Sequence, residues 1–181
     1  MKTWQPNRQS QKNRNILEVI SNKMCGKMRE FSSGIIVFRH VLGERLYLLL
    51  HYHYKGDYWD FPRGNIKEGE SAKEAAIRET REETGLSENE LRFIEGFKEE
   101  VTWFYKFLGQ TVYKKVTYFL AETETENVKI SEEHVGARWL SFEDALRLLK
   151  YKNSKNLLVK AETFLKNLDD QRSASAVKPG V

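Results

Sequence analysis

Cysteine is almost absent: Cys25 is the only one in 181 residues, which excludes an internal disulfide and any zinc site built from thiolates. No stretch approaches the roughly 18 to 20 uncharged apolar residues that a membrane-spanning helix needs, and the start lacks the apolar core of a secretory signal. A membrane or secreted protein is therefore not expected, and a reducing, cytoplasmic compartment fits best. Histidine is scarce as well, at four, so a metal site would have to rest mainly on carboxylates. At 21.3 kDa and 40% hydrophobic residues, the chain can bury one core but is short for two ordinary domains.

The net charge of +4 suggests a nucleic-acid partner until it is divided along the chain. Residues 1–30 hold seven Lys and Arg against Glu18 and Glu30, a net +5, and residues 31–181 carry −1. The basic character belongs to a leader whose one apolar patch, Ile16–Ile20, is too short for a core. Three readings stay open for that leader: a flexible arm or frayed helix, an over-extended start with Met24 or Met28 as the true first residue, or an organelle-targeting or RNA-binding arm. The expected division is a basic leader at 1–30, a globular domain at 31–170 and a disordered tail at 171–181, which is small, polar and proline-containing.

Within the domain, Gly34–Phe38 and Leu46–Leu50 read as a buried pair of strands separated by Gly43-Glu44. Leu91–Phe97, Val101–Phe107, Val112–Ala121 and Val135–Leu140 read as further strands, punctuated by Gly96 and Gly109. Ser71 with Glu74 three residues later opens a helix of about four turns that Gly85 closes. Ser141 repeats the start signature before Ala145–Leu149, and Asn153–Leu168 carries an apolar stripe at Leu157, Leu158, Ala161, Phe164, Leu165 and Leu168. The expected fold is α/β or α+β, a mixed sheet sandwiched between helices.

The chemistry concentrates in the first helix. Glu79, Glu82 and Glu83 stand at i, i+3 and i+4, so three carboxylates leave one face within about a hundred degrees of arc. They sit in the last turns, where mutual repulsion and the helix dipole both disfavour them. Arg78 can offset this by pairing with Glu74 and Glu82, and a solvated, ion-paired face remains the plain reading of such a run. Ala72, Ala75 and Ala76 let the helix pack closely, however, and an acidic cluster on a packed helix calls for a cation. Carboxylate oxygens without thiols suit Mg²⁺ or Mn²⁺.

From Gly64 to Leu86 the residues resemble the signature of the Nudix hydrolases. Gly64, Glu70, Arg78, Glu79, Glu82, Glu83, Gly85 and Leu86 all fall in register, an agreement expected by chance about once in a billion start positions. Thr80 departs, standing where an aliphatic is usual. The resemblance implies the family's fold and its reaction, hydrolysis of a nucleoside diphosphate linked to another group. By matching position it implies that Glu79, Glu82 and Glu83 hold the metals with the Gly64 carbonyl, and that Glu70 pairs with Arg78 to fix the geometry of the loop and helix. Gly85 is structural in the motif.

The flanks resemble one subfamily, the asymmetric diadenosine tetraphosphate hydrolases, in Trp59–Ile66, Lys114–Ala121 and Ser131–Leu140, although Lys is more usual at Arg63. In that resemblance Glu133 matches a fourth glutamate that reaches the metals from a loop, and Glu133 or Glu79 serves as base. Arg63, Lys114 and Lys115 are candidate phosphate partners, with strand-edge protection as the alternative for the lysines. Tyr58, Tyr105 and Tyr118 are candidate base-stacking or phosphate-contacting aromatics, with core packing as the alternative. His51, His53 and His134 are open to ligation or proton shuttling. The implied partner is a dinucleoside polyphosphate. Two rivals are an RNA 5′-pyrophosphohydrolase using the basic leader and a non-catalytic nucleotide sensor or RNA-binding module; oligomeric state is not legible.

Overall fold

The structure, a computed structural model, describes residues 28–53 and 57–176. In chain order these form β1 (Met28–Val41), β2 (Glu44–Tyr52), β3 (Tyr58–Asp60), β4 (Arg63–Asn65), α1 (Ala72–Thr84), a 3₁₀ turn (Glu88–Glu90), β5 (Arg92–Phe107), β6 (Gln110–Glu122), β7 (His134–Leu140), α2 (Phe142–Leu148) and α3 (Lys152–Ala176). The sheet order is β3-β2-β1-β6-β5, with β4 added to β1 and β7 to β2. Strand β1 is antiparallel to β2 and β4, and β2 to β3 and β7. Ser33 Oγ donates to the Thr117 carbonyl and the Thr123 N–H to the Phe38 carbonyl, so β1 and β6 advance together and the sheet is mixed.

Continuous burial of Ser32–Phe38 and of Tyr47–Leu50 marks strands covered on both faces. On one face Ile35, Val37, Leu48 and Leu50 pack with Ala76 of α1 and with Leu86, Leu91 and Ala121. On the other, α3 buries Leu157, Leu158, Ala161 and Leu165, and the Tyr47 hydroxyl reaches Glu162. The expected helix–sheet–helix sandwich is therefore the observed architecture. Among the described residues no helix is long and apolar enough to cross a membrane.

Three expectations change. Leu91–Phe97 and Val101–Phe107 are one strand, β5, because it lies at the end of the strand order, where the charged side chains of Lys98 and Glu100 can face solvent without ending it. Strand β1 starts at Met28, inside the expected leader; residues 1–27 lie outside the described residues. Helix α3 runs to Ala176, six residues into the expected disordered tail, while 177–181 lie outside the described residues. Its stripe ends near Leu168, but Asp169 pairs with Arg45, and the exposed Asp-Gln-Arg-Ser-Ala run that follows has no proline to stop it.

The chain divides into two compact units. The larger, residues 31–102 and 115–176 as described, holds α1, α2 and α3. In the smaller, residues 28–30 and 103–114, Lys114 Nζ lies 3.2 Å from Glu30 Oε2, Tyr105 also bonds Glu30, and Phe104 and Tyr113 pair with ring centroids 5.4 Å apart.

Candidate active site

Helix α1 is fixed at both ends by its own sequence. The Glu74 N–H donates to Ser71 Oγ (3.2 Å) and the Ser71 N–H to Glu74 Oε2 (2.8 Å), closing the expected capping box. Gly85 takes a left-handed conformation (φ 77°) and its N–H donates to the Arg81 carbonyl. Ala75 and Ala76 are fully buried, which sets the rotation of the helix and so the direction of each glutamate: Glu83 goes inside, Glu79 is half-buried and Glu82 is exposed.

Gly64 lies in β4, opposite Ser33 of β1. A Cβ at this position would overlap the carboxylate of Glu79, so any other residue would displace that carboxylate from its place against β4. Arg78 ties the two together. Its Nε and Nη2 donate to the two oxygens of Glu70 (2.5 and 2.8 Å), Nη2 also to the Asn65 carbonyl (2.9 Å), and Nη1 to Glu79 Oε1 (2.6 Å). The forked bond from Arg78, with help from the Lys67 N–H, holds the Glu70 carboxyl down at about 2. Glu70 and Arg78 thus clamp the loop 64–70 onto α1.

The carboxylates of the helix respond differently. Burial raises Glu79 above the ordinary carboxylate value despite Arg78. Burial pushes Glu83 up to about 8, and the Glu79 charge adds to the rise; against it work the Arg63 backbone N–H (2.9 Å) and guanidinium charge and the Tyr52 hydroxyl (3.3 Å) on Oε2, with His134 Nε2 3.5 Å from Oε1. Glu82 faces Arg78 (3.6 Å) and Lys67 (4.0 Å). Among the described residues no three acidic or histidine side chains converge as a finished metal cage. The donors nonetheless suit a hard divalent cation: the backbone at Gly64 adjoins the Glu79 carboxylate, and burial disfavours the charge of both Glu79 and Glu83, which a bound divalent cation would favour.

The remaining predicted residues fall into separate settings. Glu133 is exposed in the Glu132-Glu133 turn immediately before β7. That turn is docked on the end of α1, the Lys129 N–H donating to the Thr84 carbonyl (2.8 Å) and the Ser131 N–H to the Glu83 carbonyl (3.3 Å). Arg63 turns its guanidinium to Asp60 Oδ2 (3.2 Å) and over the Tyr52 ring. Tyr58 stacks on Tyr52 at 5.2 Å, and Tyr118 is buried with its ring edge-on to Phe61 at 6.1 Å. Lys115 pairs with Glu100 at 2.7 Å. Tyr105 and Lys114 share Glu30 in the smaller unit. Each of the three candidate phosphate cations therefore meets a protein carboxylate.

Two residues at the centre were not singled out from the sequence. Asp60, 3% exposed, anchors both the Phe61 N–H and the Arg63 guanidinium. Tyr52 holds the Phe61 carbonyl at 2.9 Å and touches Glu83. The usable signal for Tyr52 was parity, since it shares a strand face with the buried Leu48 and Leu50.

Comparison with known proteins places the chain in a family. The NUDIX domain model matches residues 28–161. The chain is 37% identical over 140 residues to the asymmetrical bis(5′-nucleosyl)-tetraphosphatase of Mus musculus, covering 73% of this chain and 92% of the relative. It is 34% identical over 135 residues to the protein of that name from Caenorhabditis elegans, covering 74% and 95%. Among solved structures, the C. elegans Ap4A hydrolase binary complex superposes with a TM-score of 0.69 at 32% identity, covering 76% of this chain and 98% of that one.

Proposed function

Since the chain belongs to the Nudix family, we propose that it is a Mg²⁺-dependent hydrolase that cleaves diadenosine tetraphosphate asymmetrically into ATP and AMP. The observation that carries this reading is the Gly64–Glu79 contact braced by the Glu70–Arg78 clamp: it builds an oxygen-only site from adjoining strand and helix, in a chain whose relatives bear that activity in their names.

In this reading Glu79, Glu82, Glu83 and the Gly64 carbonyl hold the ions, and Glu133 approaches from the turn before β7. Bound there, divalent cations supply neutralisation of phosphate oxygens and a lowered pKa for attacking water. The chain's own tasks are to place and deprotonate. Glu133 or Glu79 accepts the proton of a water that attacks the phosphorus bearing AMP. The bridging P–O bond breaks and ATP departs. Tyr58, half-buried beside Tyr52, offers a flat surface for adenine. Arg63, held by Asp60, contributes positive charge beneath the phosphates rather than a free arm. Lys114, Lys115, Tyr105 and Tyr118 remain substrate candidates within the same reading. The site of action is the cytoplasm, where Mg²⁺ and the substrate class are at hand and Cys25 needs no partner.

The test is chromatography of products from diadenosine tetraphosphate with Mg²⁺ in ¹⁸O-water, beside a 5′-triphosphorylated RNA. Equal ATP and AMP, with the label in AMP, is the expected result. Two ADP would overturn the regiochemistry, turnover of RNA alone would move the function to 5′-end processing, and silence on both would favour a nucleotide-binding module.

A further inference from the structure

We propose that Tyr52 and His134 are positioning residues that jointly hold the Glu83 carboxylate, and that His134 also sets the turn carrying Glu133. The inference rests on the metal-site reading above and assigns work to two side chains that lie outside the helix signature and meet it at Glu83.

Both residues are brought together by an irregularity in the sheet. Along β2 and β7 the register runs Leu50↔Ala137 and His51↔Gly136, then slips so that Tyr52 faces His134. The extra residue is Val135, which is 56% exposed. A bulge of this kind re-aims the side chain beside it. Without the slip Tyr52 would face Val135, and His134 would point to the other side of the sheet. With it, the His134 ring stands edge-on to Tyr52 at 4.5 Å, and His134 itself is buried.

The polar atoms then divide between two glutamates. His134 Nδ1 lies 3.0 Å from Ser131 Oγ, and the His134 N–H donates to the Ser131 carbonyl at 3.1 Å. These two bonds close a tight loop whose tip is Glu132-Glu133. With Nδ1 accepting from the Ser131 hydroxyl, the ring proton is on Nε2, which faces Glu83 Oε1 at 3.5 Å, a little longer than a hydrogen bond. On the other oxygen, Tyr52 has one proton for two acceptors, the Phe61 carbonyl at 2.9 Å and Glu83 Oε2 at 3.3 Å. Through Phe61 it also steadies the Phe61–Gly64 segment, whose Arg63 N–H donates to Glu83. One tyrosine and one histidine thereby link Glu83 of α1, the strand bearing Gly64 and the turn bearing Glu133. Partners behind a metal ligand set its orientation, and their loss commonly costs ten- to a hundredfold.

The experiment measures Mn²⁺ binding without nucleotide, by the paramagnetic resonance signal of free Mn²⁺, in wild type, Tyr52→Phe, His134→Gln and Glu83→Gln. The expected result is a dissociation constant raised about tenfold in Tyr52→Phe and His134→Gln, with unchanged near-UV circular dichroism, a lower kcat and an unmoved KM for diadenosine tetraphosphate. Adding Tyr52→Phe to Glu83→Gln should produce no further loss of Mn²⁺ affinity, because Tyr52 acts through Glu83. Should His134→Gln fold poorly, Ser131→Ala removes only the hydroxyl that orients the ring and should weaken Mn²⁺ by about threefold. Wild-type Mn²⁺ affinity in Tyr52→Phe and His134→Gln, with Glu83→Gln impaired, overturns the inference alone. Wild-type affinity in Glu83→Gln as well overturns the metal-site reading beneath it.

Discussion

Glu83 and Glu162 are the same residue at nearly the same burial, 6% and 8% exposed, on opposite faces of one sheet. Their surroundings differ in depth, Glu83 lying deeper within the protein, and in partners. Glu162 on α3 faces cations: Arg45 at 3.0 Å and Lys166 at 3.3 Å, with the Tyr47 hydroxyl at 2.5 Å. Burial works against its charge, but these partners together outweigh it and hold its pKa below the ordinary value. Glu83 on α1 meets an amide, a hydroxyl and a histidine, and burial raises it to about 8. A buried carboxylate ion-paired within the fold is a structural tie; one hydrogen-bonded by neutral donors, with Arg63 acting on it only through its charge and not enough to offset burial, is suited to receive a cation from outside.

Two matched substitutions are designed to break that comparison. Glu83→Gln keeps size and hydrogen bonding but removes the charge; turnover with Mg²⁺ should fall at least a hundredfold, about 2.7 kcal/mol, while the urea midpoint without metal stays at or above wild type. An unchanged rate would remove Glu83 from the site. Glu162→Gln leaves Arg45 with Asp169 alone and should cost about 2 kcal/mol of stability by the same denaturation measurement, with kcat of the folded fraction within about twofold of wild type. If the two variants exchanged these phenotypes, the assignment of one face to chemistry and the other to stability would be reversed.

The side of this comparison that holds the candidate site was largely legible in the sequence, and the reason is local. Helical periodicity fixes where Glu79, Glu82 and Glu83 point relative to Ala75 and Ala76, and the caps at Ser71 and Gly85 are written in adjacent residues. What lay hidden depended on register between distant strands. Nothing near Tyr52 announces a bulge at Val135 eighty residues on, nor that Asp60 would claim Arg63. Arg45 and Glu162 are 117 positions apart, and their pairing follows only from α3 crossing β2. The length of α3 was misjudged for a related reason: its apolar stripe stops near Leu168, while a pairing with Arg45 holds the next turn.

Acid titration sharpens the contrast. Because the folded pKa of Glu162 is lowered, the folded state binds fewer protons there than the unfolded chain. Its contribution is full above the unfolded value of about 4.5 and is lost as pH falls through the folded value. Urea midpoints taken from about pH 6 down to about pH 3 should therefore decline less steeply in Glu162→Gln than in wild type. Glu70, held at about 2 by Arg78, declines in both and cancels in the difference. Parallel slopes would mean that Arg45 and Tyr47 do not favour the charged form in solution.

The smallest effect concerns the one departure from the family signature. Thr80 lies on α1 between the two faces of the site, fully buried, and its hydroxyl finds no protein partner. Its carbonyl is occupied by the Thr84 hydroxyl at 2.6 Å. Thr80 differs from Glu83 here: the Glu83 carboxylate has hydrogen-bond partners, whereas the Thr80 hydroxyl has none from the protein. Unlike a carboxylate, a hydroxyl there gains nothing from a divalent cation that its neighbours do not already offer. Thr80→Val keeps the branched shape and removes the unpaired oxygen, so stability should rise by about 1 kcal/mol with kcat and Mn²⁺ affinity unchanged. A gain in stability without a change in metal binding would separate the unpaired hydroxyl from the buried carboxylate on this helix. A loss of stability would show that the Thr80 hydroxyl is bonded in solution, and that the family's aliphatic position has been taken over here by a polar contact.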